Sequence, residues 1–369
     1  MVARNAVRDV VTPRDLRRFI EYPYDLYRKH PYWVPPLRLI ERSRLDRRRN
    51  HFFAHADATF FLAETGGQVV GRIAALDDHR HNETHGDNLA SFGFFEAASA
   101  EAAHALLGAA EEWARRRGRA RMRGPHNPSL NESAGLLVDG FDDPPAILMP
   151  YNPPEYAGFL ESAGYMTAKD LLAWQFDLQS APAERFTQLV DRVTRRHNAT
   201  MRFVERRDLK RYFPALNDLY RRAWEGNWGF VPPTDAEMRQ LVDDLSWILG
   251  KHDVVLVEVA GQPVAFGVCM PDINQVLAGT DGTLLPFLFR WLRRRRIITR
   301  GRFLLLGVAP EFRQLGFFAL IAYEFYRQFK GVYRHIEESW VLEDNANING
   351  PAAALGRRSK TYRLYEKAL

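Results

Sequence analysis

Residues 303–329, FLLLGVAPEFRQLGFFALIAYEFYRQF, set a proline, an arginine and a glycine between two apolar runs. Phe303–Val308 reads as a buried strand that stops at Pro310. Glu311–Leu315 reads as a polar turn leading through Gly316 into a helix, Phe317–Phe329. A helix N-terminus leaves backbone N–H groups without partners and adds partial positive charge. Glycine allows close backbone approach and Arg313 adds a charged donor, so this corner can hold an anion such as a diphosphate. A plain buried strand–helix corner is the bland alternative.

Other residues could move protons or bind polar groups. Glu337 and Glu338 are consecutive on Tyr333–Leu342, which reads as a strand, so they point to opposite faces and one should look into a cleft beside the corner. A carboxylate with a raised pKa there can take a proton from an amine. Glu132, in the first half of the chain, is a rival, and Glu311 lies in the turn itself; each also reads as an ordinary solvated carboxylate. Asn127, Asn131, Glu132, Tyr151 and Asn152 fall in a Pro- and Gly-shaped region, Gly124–Tyr156. They read equally as binding groups on fixed loops and as hydrogen-bonded scaffolding. His79, His81 and His85 sit in DDHRHNETH, which reads as a surface loop. The spacing does not match the helical zinc motif, which needs Glu directly after the first His, so no metal is assigned.

The elements around these residues repeat an order. Thr12–Lys29 opens as a helix behind Thr12 and Pro13, with Pro23 expected to interrupt it. Ala58–Ala63 and Val69–Ala75 read as a hairpin around Glu64–Gln68, and Ser91–Glu96 as a strand. Ala100–Arg117 is an Ala-rich amphipathic helix ending at Gly118. Gln179–Ala183 is the expected boundary, giving domains 1–179 and 180–369. The second half offers a strand at Thr200–Arg206, helices Leu209–Trp224 and Asp235–Leu249, and a hairpin Val254–Val259 with Val264–Met270. Thr234 and Glu237 form a capping box for the second helix. Thr361–Tyr365 reads as the last strand. The halves share a helical opening, hairpin, strand, long helix, strand, short helix and strand, without residue-level identity. The expected fold class is α/β (α+β), two tandem domains, each a mixed central sheet flanked by helices.

Val308, Pro310, Arg313 and Gly316 fall in register with the pyrophosphate loop of the GNAT superfamily of acyl-CoA-dependent N-acyltransferases, V-x-P-x-x-R/Q-x-x-G-x-G/A, which the chain resembles here. Phe318 stands where Gly or Ala is usual and could crowd the cofactor path. The resemblance implies that Val308, Ala309, Arg313, Gln314, Leu315, Gly316, Phe317 and Phe318 hold acetyl-CoA or another acyl-CoA as co-substrate, with Asn345 beside its pantetheine arm. It also implies a Tyr general acid four residues before Gly356, but Ala352 stands there. Tyr362 or Tyr365 could replace it only if the fold brings one round. The whole chain resembles bacterial two-domain GNAT-like proteins, whose first domain lacks the loop and which share the Gly124–Tyr156 segment. The resemblance implies N-acyl transfer to a small amine acceptor, catalysed by Glu337, Glu338 or Glu132, with Asn127, Asn131, Tyr151 and Asn152 toward the substrate.

Composition bounds these readings. A length of 369 residues with 46% hydrophobic residues is long for one core, so two domains are expected. The net charge of +6 comes from 44 Arg against 7 Lys and suits a phosphate-bearing ligand or nucleic acid. Nucleic acid enters only in one alternative, an aminoacyl-tRNA-dependent transferase of Fem type, in which the Arg293–Arg302 cluster would track RNA. A non-catalytic ligand-binding protein is the other alternative. The lone cysteine, Cys269, lies in an apolar run and reads as a buried structural thiol, consistent with a reducing, cytoplasmic setting. Met1–Val11 has no apolar signal core, and no run of eighteen apolar residues exists. The nearest, Leu284–Leu292, contains Arg290 and runs into Arg293–Arg296. It reads as a helix ended by a solvated charge cluster, with a membrane-surface helix as the alternative.

Overall fold

The computed structural model describes residues 6–369. The first five residues of the Met1–Val11 segment lie outside the described residues, and Ala6–Asp9 forms a strand. The chain divides into two compact units. Unit 1 is the chain as far as Leu171 together with Val276–Arg293 and Lys360–Leu369, and unit 2 is Leu172–Gln275 with Arg294–Ser359.

Both units are mixed α/β structures with the same strand logic. In unit 1 the order is Ala6–Asp9, Ala56–Thr65, Gln68–Asp78, Leu89–Ala97 and Arg121–Gly124. The first three pairings are antiparallel and the last is parallel. Unit 2 runs Thr200–Phe203, Val254–Val259, Gln262–Pro271, Arg300–Val308 and His335–Leu342, again antiparallel three times and then parallel. Parallel neighbours need a crossover, and in each unit a long helix supplies it. That helix is Ala100–Arg116 in unit 1 and Phe317–Phe329 in unit 2. Its apolar face packs on the sheet: Ala103, Leu106, Leu107 and Ala110 in unit 1, Leu320, Ile321 and Phe325 in unit 2. Each large apolar side chain so buried contributes roughly 1.5–3 kcal/mol before entropy is counted. The hairpins close more tightly than their composition suggests, through Gly66-Gly67 and Ala260-Gly261 alone. Among the described residues no helix is long and apolar enough to cross a membrane. Cys269 is buried in the Gln262–Pro271 strand, where burial pushes its thiol well up.

Two local expectations are corrected. Pro23 does not interrupt the first helix, which runs from Pro13 to Leu26. Proline deprives the carbonyl four residues earlier of its usual N–H partner. Here that carbonyl, of Phe19, accepts instead from Arg72 Nη1 at 2.9 Å. The segment expected as a surface loop around His79–His85 is a helix. Asp78 caps it, accepting from the N–H groups of Arg80 at 3.0 Å and His81 at 3.3 Å, and Gly86 ends it in the left-handed conformation. Start and stop residues thus fix a helix whose own composition is polar. Of its histidines, His79 and His85 are exposed and only His81 is tucked in: burial lowers His81 to about 4, and its ring lies 4.7 Å from that of His85. Among the described residues no group of three His, Cys, Asp or Glu side chains could hold a metal ion.

The seating of the unit 2 crossover helix depends on Gly267. A Cβ added there would lie 2.5 Å from Ile321 Cγ2 and 2.9 Å from Phe325 Cε2. The absent side chain lets the helix rest directly on the sheet. Gly267→Val should therefore lift the helix and destabilise the protein by about 1–3 kcal/mol, read as a lower urea midpoint at unchanged slope.

Candidate active site

The parallel pairing in unit 2 is short. Arg300–Val308 and His335–Leu342 stay in register only from Arg300↔His335 to Phe303↔Glu338. Beyond that point the strands no longer pair with each other, and their facing edges turn to a shared gap. A cavity of about 910 Å³ lies in this gap, lined by Phe303, Leu304, Leu306 and Val308 on one strand and Glu338–Leu342 on the other. The volume is near the upper end of the roughly 300–1,000 Å³ common for small-molecule sites. Arg302 fixes the point of divergence: buried, it donates from Nη2 to Ser339 O at 2.6 Å and from Nε at 3.3 Å.

The strand–turn–helix corner forms one wall. The expected turn is present: it opens with a single 3₁₀ turn, Pro310–Phe312, and continues as a turn through Gly316, with Gln314 and Gly316 both at positive φ. Gly316 is confined twice: its φ is +90°, and a Cβ would meet Val193 Cγ2 at 2.7 Å. The corner's own hydrogen bonds are few. Leu315 N–H donates to Phe312 O at 3.4 Å and Ala319 N–H to Gly316 O at 2.9 Å. The N–H groups of Gln314, Gly316, Phe317 and Phe318 donate to no acceptor among the described residues. Val308, Arg313, Gln314, Gly316, Phe317, Phe318 and Asn345 line the cavity, while Ala309 is buried behind it and Leu315 is not in its wall. Phe318 is only 8% exposed and packs into the wall, leaving the cavity open. Arg313 is braced, its Nη2 donating to Ala223 O at 2.9 Å.

Of the adjacent glutamates, Glu338 lines the cavity and Glu337 does not, although both are buried. Alternation along the strand makes that choice. Glu338 is 5% exposed, and its Oε2 has no hydrogen-bond partner. Burial pushes its pKa up to about 8. Ser339 Oγ is a second buried, unpartnered oxygen in the same wall. Buried polar atoms are nearly always paired, so two such atoms facing one cavity mark a place for a polar ligand.

Some lining residues carry no motif. Arg185, Leu189 and Arg192 fall on one face of the helix Glu184–His197, at i, i+4 and i+7, and all border the cavity. Periodicity alone could have placed the two arginines together. Ser339, Trp224 and Asn227 line the cavity without a sequence signal.

The remaining candidates lie in unit 1 and none borders this cavity. Asn127 Oδ1 accepts from Phe94 N–H at 2.6 Å. Asn152 braces Leu137 from both sides, accepting from its N–H at 2.7 Å and donating to its carbonyl at 3.1 Å. Tyr151 OH donates to Phe141 O at 3.1 Å, and Glu132 pairs with Arg44 at 3.6 Å. Asn131 lies on the same turn as Glu132. Neither Tyr362 nor Tyr365 reaches the cavity wall: both are buried in unit 1, and Tyr365 OH donates to Glu161 at 3.1 Å. The Arg293–Arg302 cluster is not one surface, because Arg300 pairs with Asp272 at 3.3 Å and Arg302 is internal.

No protein-family model matches the chain. It is 36% identical over 99% of its length to the "Bacterial ceramide synthase" of Caulobacter vibrioides, covering 97% of that protein. It is 33% identical over 98% of its length to "Protein YghO" of Escherichia coli, covering 95% of it. Among solved structures, a tandem GNAT protein from the clavulanic acid biosynthesis pathway matches 98% of both chains with a TM-score of 0.58 at 13% identity, a likeness of fold alone. The strand order of each unit and the structural likeness give the chain a tandem GNAT fold, and the two relatives place it by sequence: the chain belongs to the family that includes the bacterial ceramide synthase and Protein YghO.

Proposed function

We propose that the protein is an N-acyltransferase that moves a fatty acyl group from acyl-CoA to a long-chain amine. The observation that carries the reading is the buried, unpartnered carboxyl of Glu338 in the same cavity as four unengaged backbone amides. The amides of Gln314, Gly316, Phe317 and Phe318 suit a diphosphate, and Arg185, Arg192 and Arg313 add charged donors around it. Asn345 lines the path that a pantetheine arm would follow between the strands. In this reading residues 180–369 bind the cofactor and residues 1–179 do not.

The thioester of acyl-CoA supplies the activated acyl carbon. Glu338 accepts the proton that the amine gives up as the C–N bond forms and the C–S bond breaks. A carboxyl poised near pH 8 is a far better acceptor than one in water. Backbone N–H groups on the unpaired strand edges suit the developing charge on the carbonyl oxygen. With no tyrosine in the cavity wall, the departing thiolate takes its proton from solvent or from protonated Glu338. A long-chain acceptor is favoured by the apolar wall, with Phe186, Leu189, Leu306, Trp340 and Ile348, and by the name of the 36%-identical relative.

Thiol release from a long-chain acyl-CoA in the presence of a sphingoid-type amine tests the reading. Glu338→Gln should lower kcat by roughly 10²–10⁴-fold and remove a rise in rate centred near pH 8. Removing Arg185 and Arg192 together should instead raise KM for acyl-CoA by about tenfold or more at similar kcat. An unimpaired Glu338→Gln enzyme would end the proposal.

The same carboxyl has a stability signature. Its folded pKa, about 8, stands above the ordinary 4.5, so between those values the folded state holds a proton that the unfolded state has released. Stability from this group is present at low pH and falls as pH rises through that window. The melting temperature of Glu338→Gln relative to the native protein should therefore increase as pH is raised from about 4.5 to about 8. A difference independent of pH would show that the carboxyl is not held protonated.

A further inference from the structure

Over the described surface, large apolar side chains are exposed singly or, at Leu39 and Ile40, as a pair, with one larger group. Leu284, Leu285, Leu288, Phe289 and Leu292 are all exposed and belong to a single helix, Leu284–Leu292. Leu285 and Leu292 are 79% and 80% exposed. At about 100° per residue these five fall within roughly 140° of arc, one continuous stripe. The opposite side is anchored: Phe287 is buried and stacks on Trp291 at 5.7 Å, and Arg290 Nε donates to Val276 O at 2.8 Å. The lead into the helix is also fixed, because Arg38 N–H donates to Gly282 O at 3.0 Å. The stripe is therefore presented by a held helix and not by a frayed segment.

Charge adjoins the stripe. Arg293 ends the helix, is exposed and lies 4.5 Å over the ring of Phe289. In sequence the helix continues directly into Arg294, Arg295 and Arg296, and no acidic residue occurs in 282–310. An apolar stripe of this width, ended by Arg293 and followed directly in sequence by further arginines, matches the two layers of an anionic lipid surface, acyl chains beneath phosphate headgroups. A protein partner would need acidic groups ringing an apolar groove. A second copy would bring arginine against arginine, which opposes pairing through this face.

We propose that Leu284–Leu292 is a membrane-docking helix that inserts its leucine and phenylalanine stripe among the acyl chains of an anionic bilayer, with Arg293 and the following arginines on the headgroup phosphates. The helix lies in the plane of the interface and does not cross it, being far shorter than a span. This docking is independent of the acyltransferase reading and concerns residues outside the cavity wall.

Flotation of the full chain with vesicles of phosphatidylglycerol and phosphatidylethanolamine, against vesicles of phosphatidylcholine alone, tests the proposal. The native protein should float with the anionic vesicles and be released by salt. The triple variant Leu285→Ser, Phe289→Ser, Leu292→Ser should partition at least about tenfold less at unchanged melting temperature, since all three side chains are exposed. If the triple variant misfolds, the single variant Leu285→Ser should show a smaller loss in the same direction. Replacing Arg293, Arg295 and Arg296 by Gln should weaken binding to the anionic vesicles roughly a hundredfold and abolish the salt effect, at about fivefold per arginine. Three results would overturn the proposal. They are no capture of the native protein by anionic vesicles, equal capture of the triple serine variant, or a native dimer that the serine substitutions convert to monomer, which would make a second copy the occupant.

Discussion

The candidate site depends on where two parallel strands stop pairing. Arg300–Val308 and His335–Leu342 share a register only as far as Phe303↔Glu338. Every ladder position given up leaves backbone groups that must find another partner or a ligand. The fold tolerates this because the strands are held from other directions. Gln262–Pro271 pairs along the outer side of one, and Arg302 ties the other by its Ser339 carbonyl. The same divergence puts Glu338 and Ser339 at the neck of the gap, buried and turned toward it. Desolvating a carboxyl without a partner is costly, and the raised pKa of Glu338 expresses that cost.

Unit 1 shows what the same topology does without such a gap. Its parallel strands also stay in register briefly, from Leu89↔Arg121 to Ser91↔Arg123. There the chain turns back and fills the opening. The short strand His126–Asn127 lies so close to Gly93 that a Cβ would meet His126 O at 1.6 Å, and Asn127 takes the Phe94 N–H. Residues that look like ligand-binding amides in the sequence complete the backbone's own hydrogen bonding. The two units thus use one strand order for different ends, an open notch in one and a sealed one in the other.

What the sequence revealed follows from how local each signal is. The corner at Val308, Pro310, Arg313 and Gly316 is legible because a buried strand, a proline stop and a glycine act within a few residues of one another. The capping box at Thr234 and Glu237 is legible for the same reason. Strand alternation separates Glu337 from Glu338 but cannot say which faces the gap, since that depends on what lies over each side of the sheet. Pro23 misleads because its compensation comes from Arg72, distant in sequence. The helix at His79–His85 is set by Asp78 and Gly86, outside the histidine pattern that draws the eye. The apolar stripe of Leu284–Leu292 is visible as composition, yet only burial shows that Phe287 faces inward while the leucines face out.

The central claim is that the amides of Gln314, Gly316, Phe317 and Phe318 grip the diphosphate of acyl-CoA. Amide hydrogen exchange at residues 314–318, with and without saturating palmitoyl-CoA, measures this directly. The account predicts that exchange at those four amides slows by at least about tenfold with palmitoyl-CoA and not with a palmitoyl thioester lacking the nucleotide. Unchanged exchange at all four, under conditions where palmitoyl-CoA is bound elsewhere or not at all, would contradict it.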